Sequence, residues 1–388
     1  MLVFIINILL ILGVLGLLIL VHEFGHFAAA KLSGVRVDEF AIGMGPKVWS
    51  KKHGETVYML NLLPIGGYVK ILGEGDDLKD FKGKLKEDPR NMLNKPLYIK
   101  VFIMLAGVLM NLLTAVVIFY IFLFVSNFKF VAPDEVAGYT PLFGQDKYEV
   151  LEQLKYTELT DDGNAIKNGW PDSGYILSIN NEKITRSDEF GAIVKANKGK
   201  QLDVEICLEL QNDNSCKIYK TDISKDGFVG ILLTRNYIHY IEYAQPAEKI
   251  FGGFAHSLNM VQLGATHIKN IFSDASKTGN YEDAVNTVSS PVGLYFIVDY
   301  LRQVGVWGIL DLVANLSLTL FVMNILPIPA LDGGRVLLVI LEKAFGRFWS
   351  KNVEAWLIKL SFIFVIVFLL ATVVKDFIYL DYLRNLFH

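Results

Sequence analysis

Residues 2–26 read LVFIINILLILGVLGLLILVHEFGH, an apolar run with no charged side chain before Val21 that passes directly into a His-Glu-Phe-Gly-His pentad. Crossing about 30 Å of hydrocarbon takes roughly 20 apolar residues, so the run predicts a membrane-spanning helix. It is long, lacks a basic leader and continues into the pentad, so it is read as a retained helix and not as a cleaved signal peptide. On a helix, positions i and i+4 share a face. His22 and His26 can therefore offer ring nitrogens to one zinc ion while Glu23, beside them, faces water. Each residue type has a task in hydrolysis: zinc acidifies water and stabilises an oxyanion, and the carboxylate takes the proton as water attacks a carbonyl. Ionisable groups at the end of an apolar span are costly in lipid, which favours a functional reading of the pentad over a chance one.

Catalytic zinc needs a third protein ligand and an open fourth position. His53, His239, His256, His267 and His388 all fall in soluble or interfacial segments. Asp332, in NILPIPALDGGR (residues 324–335), follows the third apolar span, which Pro327 and Pro329 interrupt. There it either enters the helix bundle as a ligand or caps the following helix at the interface. The first and third spans run in the same direction and reach their motifs at similar depth, as a shared metal requires.

The composition agrees with a membrane protein carrying soluble parts. Of 388 residues, 52% are hydrophobic and 20% charged, and the charged ones are segregated along the chain. A net charge of −3 without a basic tract excludes nucleic acid as a partner. Four apolar stretches qualify as spans: Leu2–Val21, Leu97–Val125, Gly308–Leu326 and Trp356–Val374. Lys31, Arg36, Lys47, Lys51, Lys52, Lys70, Lys79, Lys82, Lys84, Lys86, Arg90, Lys95 and Lys100 crowd the loop between the first two spans, which places it in the cytoplasm. The N-terminus and the segment from Phe128 to about Tyr300 then lie on the far side, and the turn with Arg335, Lys343, Arg347 and Lys351 returns to the cytoplasm.

Between the first two spans, VDEFAIGMGPKVWS and ETVYMLNLLPIGGYVKIL suggest strands and turns too apolar for water. Such backbone either dips in beside the helices, lining a cavity, or braces them from the interface. From Phe128 to Leu233 the alternating patterns of one soluble domain appear. Within it Cys207 and Cys216 flank the polar turn QNDNS, either as a disulfide in an oxidising compartment or as two unpaired thiols. Apolar residues at helical spacing from Pro246 to Phe272 (Ile250, Phe254, Leu258, Val261, Ala265, Ile268, Phe272) predict an amphipathic helix along the far membrane surface.

HEFGH in the first span and NILPIPALDGG in the third together resemble the site-2 protease family of intramembrane metalloproteases, in particular its bacterial inner-membrane, sigma-factor-regulating members. FAIGMG, LLPIGGYVKILGE and AGVLMN (residues 106–111) add to the match. The resemblance implies His22, His26 and Asp332 as zinc ligands, Glu23 as general base, and Asn324, Pro327 and Asn111 near bound substrate. AIKNGWPDSGYILSINNEKI and DGFVGILL resemble a single PDZ domain, with PDSGY in place of the usual Pro-Gly-Asp turn and an insertion before Gly163.

The expected architecture is a multi-pass α-helical membrane protein of about four transmembrane helices, with a membrane-associated β-element and an inserted extracytoplasmic PDZ-like α+β domain. Its divisions are 1–32, first helix; 33–96, re-entrant β region; 97–127, second helix; 128–240, PDZ-like domain; 241–305, amphipathic interfacial helices; 306–345, third helix with LDGG; and 346–388, fourth helix and tail. A transmembrane substrate must unwind before its peptide bonds are reachable, and strand addition on the segment around Gly67 and Tyr68 would hold it extended. Expected partners are membrane-spanning protein or peptide substrates, including anti-sigma factors and signal-peptide remnants, the lipid bilayer and a peptide ligand of the PDZ domain. The expected site of action is the bacterial inner membrane, with the N-terminus and PDZ domain periplasmic and the active site toward the cytoplasm. A membrane scaffold and a metal transporter are the rival readings. Glu23 speaks against the first, and the lack of repeated halves with paired broken helices speaks against the second.

Overall fold

A computed structural model describes residues 2–74, 88–132, 136, 138–210, 215–279, 281, 290–346 and 351–379. Lys79, Lys82, Lys84, Lys86, Arg347, the turn at 211–214 and His388 lie outside the described residues. Among those described, four helices are long and apolar enough to cross a membrane: α1 (Leu2–Leu32), α2 (Leu97–Val125), α8 (Val306–Ile325) and most of α10 (Lys351–Ile378). The chain is a multi-pass membrane protein with a β-element. Two compact units are present: Met1–Phe128, Val136–Phe143 and Gln245–His388 form the first, and Lys129–Glu135 with Gly144–Ala244 the second.

In the first unit α1 does not stop where its apolar run ends. Its 31 residues rise about 45 Å, so HEFGH lies inside the helix, in its last third. α2 runs beside it. After α1 come two long antiparallel strands, β1 (Val37–His53) and β2 (Thr56–Ile71). The sequence suggests short strands and turns, including hairpins, and the strands are instead long, with a register that folds each back on itself. Ala41 pairs with both Met59 and Tyr68, and Ile42 with both Leu60 and Gly67, while Trp49 to His53 pair with Leu60 to Thr56. The result is a four-ribbon sheet in the order 47–53, 56–61, 39–42, 67–71. Its last ribbon, Gly67–Ile71, has no strand on its outer side among the described residues. Lys31 and Arg90 both reach Glu55 at the hairpin turn, each at 2.7 Å, tying it to the end of α1 and to the segment before α2.

The third apolar span ends at Ile325. Leu326–Leu331 form an irregular break, and a separate helix, α9, begins at Asp332 and runs to Phe345. The end of α10 is latched to α7 (Pro291–Val304): the buried Asp376 carboxylate accepts from the Ser290 hydroxyl at 2.6 Å and from the Ser290 and Gly293 amides at 2.8 and 3.0 Å.

α6 (Gly252–Thr278) follows the short α5 (Pro246–Ile250). Its buried face is small and polar (Gly252, Gly253, Ala255, His256, Ser257, Asn259), whereas Phe254, Ile268 and Phe272 are exposed. Small residues permit close approach between helices in lipid. α6 uses them to pack along α2, with His256 edge-on to Phe119 at 4.8 Å and Met260 and Val261 against the Ala115–Phe119 cluster. Asn259 also holds the Val136–Phe143 segment in this unit, bonding both the amide and the carbonyl of Phe143 at 3.1 and 2.8 Å.

The second unit contains β3 (Lys129–Val131), β4 (Gln145–Val150), β5 (Lys155–Leu159), α3 (Asn164–Lys167), β6 (Gly174–Ile179), β7 (Glu182–Lys183), α4 (Ser187–Ala196), β8 (Gln201–Cys207), β9 (Cys216–Asp222), β10 (Ile231–Leu233) and β11 (Tyr237–Glu242). One sheet runs β10-β5-β6-β8-β9 with β7 on β6, and the other β3-β11-β4. Its core gathers Tyr156, Trp170, Ile176, Phe190, Val204 and Ile206. The polar ends of the two aromatics are satisfied: Tyr156 donates to the Pro171 carbonyl and Trp170 Nε1 to the Thr221 hydroxyl, both at 2.9 Å. Cys207 and Cys216 face each other across β8–β9 and form a disulfide.

Candidate metal centre

His22 and His26 lie one helical turn apart on α1, and the break after α8 brings Asp332 against them. Leu331 occupies the N-cap of α9 and Asp332 its first helical position. The Asp332 carboxylate faces the histidines, with Oδ2 at 2.9 Å from His22 Nε2 and 3.4 Å from His26 Nε2, while the two Nε2 atoms are 3.2 Å apart. Gly334 makes this placement possible. A Cβ there would strike the Ile328 carbonyl, so a larger residue would push the first turn of α9 away from the break.

The three donor atoms suit a tetrahedral ion. Ligands about 2.0–2.1 Å from zinc in tetrahedral array lie about 3.3 Å from one another, and the observed separations of 2.9, 3.2 and 3.4 Å bracket that edge. Asp332 Oδ2 is buried and, although close to two ring nitrogens, has no hydrogen bond aligned on it. Two imidazole nitrogens and a carboxylate oxygen pointing at one spot are a zinc donor set.

The backs of the histidines rest on α2. His26 Nδ1–H donates to the Ile103 carbonyl at 2.8 Å, and the Asn111 amide lies 3.1 Å from His22 Nδ1. Gly107 leaves room for the His26 ring, which a Cβ at that position would overlap. Glu23 lies on the open side. A cavity of about 900 Å³ is lined by His22, Glu23, His26 and Asp332, by the Gly67–Ile71 ribbon, and by Ile358 and Phe362 of α10. At Gly67 a Cβ would sit 2.8 Å from the Ala41 carbonyl, so glycine allows the ribbon its close approach to the neighbouring one, while Glu23 Cγ would be in ordinary contact at 3.6 Å.

The remaining sequence-derived candidates are dispersed. Tyr68 lines the cavity and donates its hydroxyl to Glu39 at 2.9 Å. Asn111 is fully buried behind His22 and does not line the cavity. Asn324 is half-buried in the last turn of α8, and Pro327 is exposed in the break. Neither lines this cavity. Sequence reading passes over Gly107 and the Ile103 carbonyl. It also passes over the Glu74–Arg335 ion pair at 2.9 Å, whose two members lie on the cavity wall. Gly107 lies inside the AGVLMN segment and Arg335 directly after LDGG, so both were adjacent to motifs already singled out.

A profile of peptidase family M50 matches residues 10–368. The chain belongs to that family. Among M50 relatives, a Clostridium perfringens protein named "putative zinc metalloprotease" is 30% identical over 365 residues, covering 93% of this chain and 96% of its own. The regulator of sigma-W protease RasP of Bacillus subtilis is 27% identical, covering 94% of this chain and 96% of its own. A protein of Enterococcus faecalis named "probable protease eep" is also 27% identical, with the same coverage of both chains. The M50 chain described here is accordingly a membrane zinc metalloprotease of the site-2 type.

Proposed function

We propose that His22, His26 and Asp332 hold the zinc ion, that Glu23 is the general base, and that the substrate is a single membrane-spanning segment cut after local unwinding. The observation carrying this reading is the convergence of three donor atoms at tetrahedral spacing beside the Glu23 carboxylate and the Gly67–Ile71 ribbon, all lining one cavity. Zinc supplies Lewis acidity toward water and the scissile carbonyl. Glu23 accepts the proton of the attacking water and returns it to the leaving amine. The outer edge of Gly67–Ile71 adds the unwound substrate as a further strand, holding its backbone extended across the cavity. Asn324 and Pro327, at the end of α8 and in the break below it, assist in holding the unwound backbone.

The basic cluster between α1 and α2 supports a cytoplasmic loop, with the N-terminus and the second unit on the far side of a bacterial inner membrane. The Cys207–Cys216 disulfide independently supports an oxidising compartment for the second unit. We assign that unit as a PDZ-like domain that binds peptide and filters substrates by the size of their far-side portion. Anti-sigma factors and signal-peptide remnants are the substrate class. The domain divisions drawn from the sequence follow from the same assignment.

Cleavage of a single-span substrate by the detergent-purified chain tests the reading. Activity in wild type that is lost both in Glu23→Gln and with chelator supports it. Equal cleavage in all three would exclude metal-dependent hydrolysis. Proline substitutions throughout 57–72 that leave cleavage unchanged would remove strand addition.

A further inference from the structure

We propose that Asn111 is a positioning residue of the metal centre: its side-chain carbonyl accepts the Nδ1–H of His22 and so fixes the tautomer that leaves the Nε2 lone pair free for the metal. This inference rests on His22, His26 and Asp332 being the zinc ligands. A neutral imidazole carries one N–H, so a ring that coordinates through Nε2 must be protonated at Nδ1 and needs an acceptor there. For His26 the acceptor is the Ile103 carbonyl, at 2.8 Å. For His22 the group facing Nδ1 is the Asn111 side chain, at 3.1 Å.

The two ends of an amide are assigned from the surrounding hydrogen bonds. With Nδ2 toward His22, Asn111 donates to Nδ1 and forces the proton onto Nε2, which then points among Asp332 Oδ2 at 2.9 Å and His26 Nε2 at 3.2 Å, the spot a metal must occupy. Turning the amide over places Oδ1, which is otherwise buried without a hydrogen bond, on the Nδ1–H and clears Nε2. With Nδ2 toward His22 the buried Oδ1 has no hydrogen bond, so turning the amide over gives up no bond at Oδ1 and the choice is decided at His22.

The setting is rigid. Asn111 is fully buried, and its backbone carbonyl accepts from the Ser317 hydroxyl at 2.9 Å, which fastens this turn of α2 to α8. α2 thus supplies the outer-sphere acceptor of both histidines, Ile103 for one and Asn111 two turns further on for the other. Because Asn111 does not line the cavity, it acts through His22 and makes no contact with substrate.

Zinc affinity of the full-length chain in detergent, read by competition with a chromogenic chelator, tests this in wild type, Asn111→Asp and Asn111→Leu. Leucine keeps the size but offers no acceptor and should weaken zinc binding about 10–100-fold, the usual cost of losing an outer-sphere partner. Aspartate is an acceptor only and should retain binding. Wild-type affinity in Asn111→Leu, or equal losses in both variants, would overturn the proposal, since the second outcome would mean that the donor end is the one required. Unfolding of the chelated proteins is followed in parallel. Comparable metal-free stability in both variants is expected, and zinc loss that merely tracks instability would make Asn111 a packing residue. Wild-type protein that binds no zinc, or His22→Ala that binds it normally, would remove the ligand assignment itself and be recognised as that separate failure.

Discussion

Replacing Gly107 by alanine adds a single methyl group on the second transmembrane helix, yet it should empty the metal centre. The new Cβ would lie 2.8 Å from both Cδ2 and Cε1 of His26 and closer still to Nε2. Comfortable carbon–carbon contact begins at about 3.5 Å, so the ring must retreat by roughly 0.7 Å. Moving away from α2, Nδ1 would pass from 2.8 Å to about 3.5 Å from the Ile103 carbonyl, beyond useful hydrogen-bond range. Metal–ligand distances tolerate about 0.2 Å of error. Loss of the outer-sphere bond alone weakens zinc binding about 10–100-fold, and displacement of the ligand adds to that. The fold itself should suffer much less: overpacking costs about 1–3 kcal/mol, and alanine recovers up to about 1 kcal/mol over glycine in a helix. The signature is a folded protein that has lost zinc. Bound zinc measured after dialysis against graded chelator, together with cleavage of a single-span substrate, reads both parts. Gly13→Ala serves as control, because nothing lies within 4 Å of a Cβ there. A Gly107→Ala protein with wild-type zinc content and turnover would refute the packing of α2 against His26.

Three further outcomes are expected. Gly334→Ala, whose Cβ meets the Ile328 carbonyl, should push Asp332 away from the histidines and reduce zinc content, which metal analysis of the purified variant checks. Cys207→Ser with Cys216→Ser should cost the second unit about 2.5–3 kcal/mol of stability, from the entropy of a loop this short, and so lower its unfolding midpoint while zinc content stays unchanged; equal midpoints would show that the cross-link contributes nothing. The Glu55 carboxyl is held below its usual value of 4.5, chiefly by the Lys31 hydrogen bond and further by the charges of Lys31 and Arg90. A depressed carboxylate contributes stability above its unfolded pKa and loses it as pH falls through the folded one. Amide exchange at the hairpin turn, corrected for intrinsic rates, should therefore speed up below about pH 4.5 in wild type and much less in Glu55→Gln.

The parts of the fold that were legible in the sequence are those fixed by local chemistry. Four apolar runs declare four helices, because the hydrocarbon thickness sets their length. HEFGH brings His22 and His26 together because a helix repeats every 3.6 residues, and two prolines mark where the third span must end before Asp332. Strands and a hairpin were suggested by the sequence between the first two spans, but their length and register were not legible in the same way. A period-two pattern identifies strand but not partner, and Ala41 and Ile42 each have partners on both sides. The α6 helix is legible only in part: its apolar stripe is plain in sequence, whereas its close approach to α2 at Gly253 depends on how the two helices pack. Ile103, Gly107 and Asn111 were invisible as supports of the histidines, since their part depends on how near α2 comes to α1, which only the assembled bundle determines.

If substrate is added along Gly67–Ile71, the outermost ribbon of the sheet among the described residues, the geometry has a consequence for which substrates are cut. A chain lying along a strand edge turns successive side chains to opposite faces, so one face meets the cavity floor and the other does not. Tolerance scanned position by position along a substrate should alternate, strict and permissive by turns, over the few residues that the ribbon spans. Because the backbone bonds of a strand edge are indifferent to side-chain identity, many unrelated sequences can be held with similar strength. Selection among them would then fall to the rhythm of small and large residues and not to any one consensus letter.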